Sequence, residues 1–353
     1  MFHLAPYVKA FEFNGQFIFG SGSNQKIIQD KNDWCNLVKI ASLWKEPATE
    51  CMVIKKINSI YPEISSEQTE TALTFLKDNH LLIKHDIFEE DKRYSRNYLY
   101  YNYLGGEPEK IQNNLKKASV AIVGCGGIGN HIAPILACSG VGKIILVDSD
   151  QIEISNLTRQ ILFDETSIGQ DKINVLATAL KKRNSEIIIE KQNLKINNIN
   201  DIYKINQPDL FIVSADSPAA IGDWFNSFCV KNSIPFINVG YINDISLIGP
   251  FYIPKQTGCY RCNDVAPWHD LMSSSEDVTF CLKQINSSFR PATFPAVNAV
   301  AAAIAAGDIL KHLGQYGKIL SLNKRIGIYS NELKIEVQNL EKNSKCTVCA
   351  NNE

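Results

Sequence analysis

Short apolar runs bounded by glycine or by polar residues dominate the middle of the chain. ASVAIVG (118–124) and KIILVD (143–148) are near-continuous, as parallel strands covered on both faces are. EIIIEKQN, LFIVSAD and PFINVGYI continue the series, with helical spacing between the earlier members. That alternation predicts a Rossmann-like, doubly wound α/β sheet. DISLIGPFYIP and RIGIYSNELKIEVQNL alternate apolar with polar, which predicts antiparallel strands toward the C-terminus. The alanine-rich stretch Val297–Leu313 predicts a helix. The first 88 residues read differently. AFEFNGQFIFG predicts two strands around the turn Asn14-Gly15. NDWCNLVKIASLWK has apolar residues at helical spacing, and SSEQTETALTFLKDNHLL opens as a capped helix, with Ser65 or Ser66 ahead of glutamate-bearing turns. We expect a small winged-helix-like module over 1–88. An aromatic-rich polar connector, EEDKRYSRNYLYYNYLGG, then leads into a larger α/β domain over 89–353.

Composition adds mainly exclusions. With 353 residues and a net charge of −1, the chain has no long-range attraction for nucleic acid or an anionic membrane surface. No apolar run reaches the ~18 residues of a membrane span, and the N-terminus lacks a basic segment followed by a long apolar run. A cytoplasmic protein is the default expectation. Six of the ten cysteines are scattered singly, and four form two pairs, Cys259/Cys262 and Cys346/Cys349. In a reducing compartment such pairs point to metal or redox chemistry, and four thiolates suit one closed, tetrahedral, structural Zn²⁺. Two unrelated reduced pairs, or redox dithiols, remain the alternatives. The solitary Cys281 lies in a polar segment with no activating base beside it in sequence, and Cys125 reads as packing.

The candidate chemistry starts at VGCGGIGN. Gly124, Gly126 and Gly129 match GxGxxG between a predicted strand and helix: a tight turn, a close phosphate approach, and close helix–strand packing. Asp148 ends the next strand, placed for a ribose hydroxyl. The loop alone does not separate NAD from ATP. The following segment does, because it carries Asp150, Asn156, Arg159, Gln160 and Lys172. A dehydrogenase has no obvious use for that arginine and lysine, whereas an enzyme attacking a phosphate needs cations against the developing charge. Asp216, just beyond the strand LFIVSAD, is a natural Mg²⁺ ligand beside a triphosphate.

GCGGIGNHIAPILACSGVGKIILVDSDQIEISNLTRQ resembles the adenylation signature of the ubiquitin-activating-enzyme superfamily, which includes the ThiF and MoeB adenylyltransferases. The likeness covers roughly residues 90–350. It implies that Gly127 and Asp148 hold ATP, that Asn156, Arg159 and Lys172 surround its phosphates, and that Asp216 binds magnesium. It supports zinc at the cysteine pairs. Arg96, in RYSRN, matches an arginine that reaches into the partner subunit's active site, which implies a homodimer. RYSRNYL, NLTRQILF, VSADSP, INVGYINDI, FRPATFPAVNAVAAA and SLNKRIGIYS are more closely similar to the MccB family, the peptide-modifying enzymes of microcin C-type antibiotic biosynthesis. That similarity implies that the N-terminal module grips a short ribosomal precursor peptide. The catalytic domain would adenylate the peptide's C-terminal asparagine on the way to a peptide–nucleotide phosphoramidate. The nearest rival is adenylation of the C-terminal glycine of a ubiquitin-like sulfur carrier, which would use the same ATP and zinc residues.

Overall fold

The computed structural model describes residues 1–84, 92–262, 276–287 and 289–350. It divides into two compact units, Met1–Asn114 with Gly314–Gly317, and Leu115–Leu313 with Lys318–Glu353.

The smaller unit opens with β1 (Phe2–Leu4). A three-stranded antiparallel sheet follows, of β2 (Ala10–Phe13), β3 (Gln16–Phe19) and β4 (Lys26–Ile28). Asn14 and Gly15 both have positive φ, so the expected hairpin turn forms where asparagine and glycine tolerate it. Helices α1 (Lys31–Ser42), α2 (Glu50–Ile60) and α3 (Ser66–Asp78) come next. Ser65 caps α3, and the capping box is closed by Gln68 rather than by a glutamate. Phe19, Leu37, Ile40, Trp44, Val53, Ile57 and Leu76 bury together as this unit's own core. Strand β5 (Leu82–Lys84) pairs antiparallel with β1. The expected connector holds a helix, α4 (Ser95–Tyr103), and α5 (Pro108–Lys117) leads onward. The alternation had not exposed α2, α4, β1, β4 or β5, all short or irregularly patterned.

In the larger unit the chain runs β6 (Ser119–Val123), α6 (Gly127–Ser139), β7 (Lys143–Val147), α7 (Lys172–Arg183), β8 (Ile188–Gln192), α8 (Ile199–Ile202), β9 (Leu210–Val213), α9 (Ile221–Asn232) and β10 (Phe236–Ile242). Then come β11 (Ile245–Tyr252), α10 (Glu276–Ser287), α11 (Pro295–Gly314), β12 (Lys324–Tyr329) and β13 (Lys334–Asn339). One eight-stranded sheet has the order β13-β12-β11-β10-β9-β6-β7-β8. Its members from β10 to β8 are parallel, and β11, β12 and β13 join antiparallel. The fold class is therefore the one read from the alternation. The central strands β6, β7 and β9 are almost wholly buried, which explains their unbroken apolar sequence. Pro295 starts α11 at the position where a missing N–H costs nothing. By length and composition α11 could cross a membrane. Here it packs Ala301, Ala302, Ala305 and Ile309 inside, and its buried Asp308 accepts hydrogen bonds from the Leu320 and Ser321 amides, both at 2.8 Å.

Candidate active site

Strand order reverses between β6 and β9: β7 and β8 extend one way, β10 to β13 the other. Open α/β sheets bind ligands at the carboxyl ends of such a pair. A cleft of about 440 Å³ lies there.

One wall is the glycine loop. Gly124 has φ +91°, a left-handed conformation that L side chains rarely adopt, and a Cβ on it would stand 2.8 Å from the Ala215 amide nitrogen. A Cβ on Gly129 would lie 2.1 Å from the Gly124 carbonyl oxygen, so helix α6 can sit this close only with glycine there. At Gly126 nothing comes nearer than Gln160 Nε2 at 3.9 Å. The first-turn amides of α6 have no intrahelical acceptor, which makes this a ready anion seat. Ser214, just past β9, donates to the Val123 and Gly124 carbonyls at 3.1 and 2.8 Å and ties the two strand ends together. Gly129→Ala should cost about 1–3 kcal/mol of folding stability, as overpacking does, and should weaken ATP binding by tilting α6. Urea unfolding and calorimetric titration would measure both, and a variant of wild-type stability would count against this packing account.

The second wall carries the charges. Asp148 accepts from the Cys125 amide at 2.6 Å and from the Asp150 amide at 2.8 Å. Burial pushes its carboxyl above the usual range, and the Lys172 ammonium opposes that rise. Lys172, almost fully buried, is 2.8 Å from Asp150 Oδ2, which is exposed. Asn156 holds the turn by accepting from the Glu153 amide at 3.1 Å, and Arg159 donates to the Ser155 carbonyl at 3.1 Å. Gln160 is buried, and its Oε1 has no hydrogen-bond partner among the described residues. Asp216 is exposed in the cleft just beyond β9.

The structure thus gathers Gly124, Gly126, Gly127, Asp148, Asp150, Asn156, Arg159, Gln160, Lys172 and Asp216 around one cleft, with Gly129 packed beneath the loop. Arg96 stands exposed on α4 of the smaller unit and is not among the lining residues. Cys125 is buried, and burial first, then the Asp148 carboxylate, drives its thiol well above the ordinary value, which suits packing rather than catalysis. Cys281 lies exposed on α10, a helix where the sequence suggested only a polar segment. The sequence reading did not single out Asn298 or Tyr241. Tyr241 lines the cleft, and Asn298 Oδ1 stands over Gly127. The one sequence signal for Asn298 was a lone polar residue in the apolar start of α11.

The two cysteine pairs meet although 83 residues separate Cys262 from Cys346. Their four sulfurs all lie within 4.8 Å of one another, with Cys259–Cys346 at 3.6 Å and Cys262–Cys349 at 3.3 Å. A tetrahedral ion with bonds of ~2.3 Å has edges of roughly 3.8 Å, so the cluster fits one metal ion. The Cys259 amide donates to Cys262 Sγ and the Asn226 carboxamide to Cys259 Sγ, as around a thiolate centre. Burial pushes the Cys259 and Cys349 thiols up, so a cation beside them is what would hold these two as thiolates.

The ThiF family model matches residues 94–349. The chain belongs to the ThiF family of adenylyltransferases. This ThiF chain is 33% identical over 211 residues to the zebrafish (Danio rerio) adenylyltransferase and sulfurtransferase MOCS3, covering 59% of the chain and 43% of that protein. It thus spans less than half the length of that relative. With the Escherichia coli molybdopterin-synthase adenylyltransferase it shares 27% identity over 261 residues, 74% of this chain and 97% of that protein. The structure of E. coli MccB, the microcin C7 biosynthetic enzyme, in complex with N-formylated MccA superposes with a TM-score of 0.93 at 42% identity, over 99% of both chains. The structure of MccB with ATP gives 0.91 at 41% identity, again over 99% of both.

Proposed function

We propose that this ThiF-family enzyme adenylates the C-terminal asparagine of a short ribosomal precursor peptide, leading to a peptide–nucleotide phosphoramidate. The observation that carries the reading is coverage. The compact molybdopterin-synthase enzyme accounts for 74% of this chain, whereas peptide-bound MccB accounts for 99%. The part beyond the shared adenylation fold therefore has a counterpart in an enzyme solved with a peptide.

In the first step a carboxylate oxygen of the peptide attacks the α-phosphorus of ATP. The bond from that phosphorus to the bridging oxygen breaks, and pyrophosphate leaves. Arg159, Lys172 and the α6 amides seat the phosphates and offset the charge that builds there. Asp148 accepts from the ribose, Gly127 and Asn156 bound the nucleotide, and Asp216 suits a Mg²⁺ ion, whose charge would screen the phosphate oxygens. Next, the asparagine side-chain nitrogen attacks the activated carbonyl and expels AMP, giving up one of its two protons to solvent and closing a five-membered imide. A solved MccB structure contains succinimide, in keeping with such a step. The imide nitrogen then attacks the α-phosphorus of a second ATP, losing its proton to solvent as pyrophosphate leaves. Positioning supplies most of what these steps need.

In the same reading the smaller unit grips the peptide, the cysteine cluster holds a structural Zn²⁺, and the enzyme acts in the cytoplasm as a homodimer. Arg96 then serves the partner's cleft. Mass spectrometry of the protein with Mg-ATP and a synthetic peptide ending in asparagine tests the core of this. A stable peptide mass gain of one nucleotidyl group is expected. No adduct, with rapid pyrophosphate exchange on a sulfur-carrier protein ending in glycine, would sink the peptide reading and favour the sulfur-carrier one.

A further inference from the structure

Asn226 is fully buried on α9, in the same core as the four cysteines, where Phe225, Phe228 and Val230 anchor the helix. Its Oδ1 accepts from the Tyr260 amide at 2.9 Å. A backbone N–H only donates, so this contact fixes the carboxamide's orientation and turns Nδ2 the other way. Nδ2 faces Cys259 Sγ at 3.7 Å, a hydrogen-bond distance for the larger sulfur atom. One turn earlier on α9, Asp223 accepts from Arg261 Nη2 at 2.6 Å. Residues three apart on a helix lie side by side, so α9 grips both residues between Cys259 and Cys262. The Cys262 amide closes the turn by donating to the Cys259 carbonyl at 3.0 Å.

Four thiolates around one divalent ion leave an excess of negative charge on the sulfurs. Donors aimed at the sulfurs offset that excess, and the groups behind metal ligands also fix each ligand's direction. Asn226 does both, through a donor on the sulfur and an acceptor on the adjoining backbone. Burying a carboxamide is costly unless both of its ends find partners, and here the nitrogen's partner is the sulfur itself. We propose that Asn226 is the positioning residue of the metal centre: it holds Cys259 in its ligating direction and donates to its thiolate. Together with the Asp223–Arg261 contact, this makes Cys259 and Cys262 a preformed half-site that Cys346 and Cys349 complete. The proposal rests on the metal reading of the cluster given above.

The test compares the full-length wild-type protein with Asn226→Ala and Asn226→Ser. Serine keeps a polar group in the core but is too short to reach Sγ, and it decides the matter if the alanine variant fails to fold. Thermal melting in excess zinc confirms that the fold persists. Competition with a chromophoric chelator should show zinc held about 10–100-fold more weakly in the variants, the usual cost of losing a group behind a metal ligand. With cobalt(II) in place of zinc, the sulfur-to-metal charge-transfer bands should move to longer wavelength, because a thiolate without its N–H donor gives up an electron more easily. Variants that hold zinc within about threefold of wild type, well short of that cost, overturn the proposal. So do variants with weakened binding but unmoved cobalt bands, which would leave Asn226 as a packing residue of the turn. A wild-type protein that binds neither metal overturns both this proposal and the metal reading.

Discussion

Lys172→Met should lower the rate of ATP–pyrophosphate exchange by about two to three orders of magnitude, the usual cost of losing one preorganised charge-stabilising donor. The methionine keeps most of the buried stem and removes only the cation. Asp150, exposed, is then resolvated at little cost. The phosphate seat loses more, because the ammonium sits where little water screens it. A second readout follows from the neighbouring carboxyl. Burial already raises the Asp148 pKa and Lys172 holds it down, so without Lys172 that pKa rises further. Asp148 then takes up its proton at a higher pH as the solution is acidified, and the acid limb of the rate profile moves up the pH scale. An exchange rate within about threefold of wild type at every pH would remove Lys172 from the chemistry.

Cys259→Ser should abolish metal binding. Metal analysis of the purified wild-type protein should find about one zinc per chain, and the variant under about a tenth of that. Structural zinc sites bind with about 10–16 kcal/mol in isolated fingers. This site is embedded in a larger core that stands partly by its own packing, so only part of that energy should appear as lost stability. A fall in melting temperature on the order of 10 °C or more is expected, along with loosening of the C-terminal segment that carries Cys346 and Cys349. Full zinc content in the variant, or a metal-free wild-type enzyme that is equally stable, would reassign the cluster to reduced thiols.

Much of this was legible because several signals agreed. The parallel strands announced themselves as unbroken apolar runs, since burial on both faces leaves no polar alternation. The glycines of the loop were legible because their positions tolerate nothing else: Gly124 by its backbone conformation, Gly129 by the carbonyl 2.1 Å from any Cβ. The small unit was harder. Strands of three residues, such as β1, β4 and β5, are too short to show a period, and α4 was hidden in an aromatic-rich polar stretch with no clear apolar face.

The sequence by itself determined the local features: strand and helix types in the larger unit, the glycine turn ahead of α6, and the residue types able to carry nucleotidyl chemistry. Each depends on the backbone and side chains of a few consecutive residues. Only the tertiary structure decided what these features do together. Helices and crossovers separate Asp148, Lys172 and Asp216 in the chain, and strand order alone brings them to one cleft. The cysteine pairs meet because the sheet and its C-terminal extension close a long loop, which spacing permits but does not dictate. Asn298 is the clearest case. In the sequence it is one polar residue in an alanine-rich helix, and only the fold brings its side-chain oxygen up against Gly127.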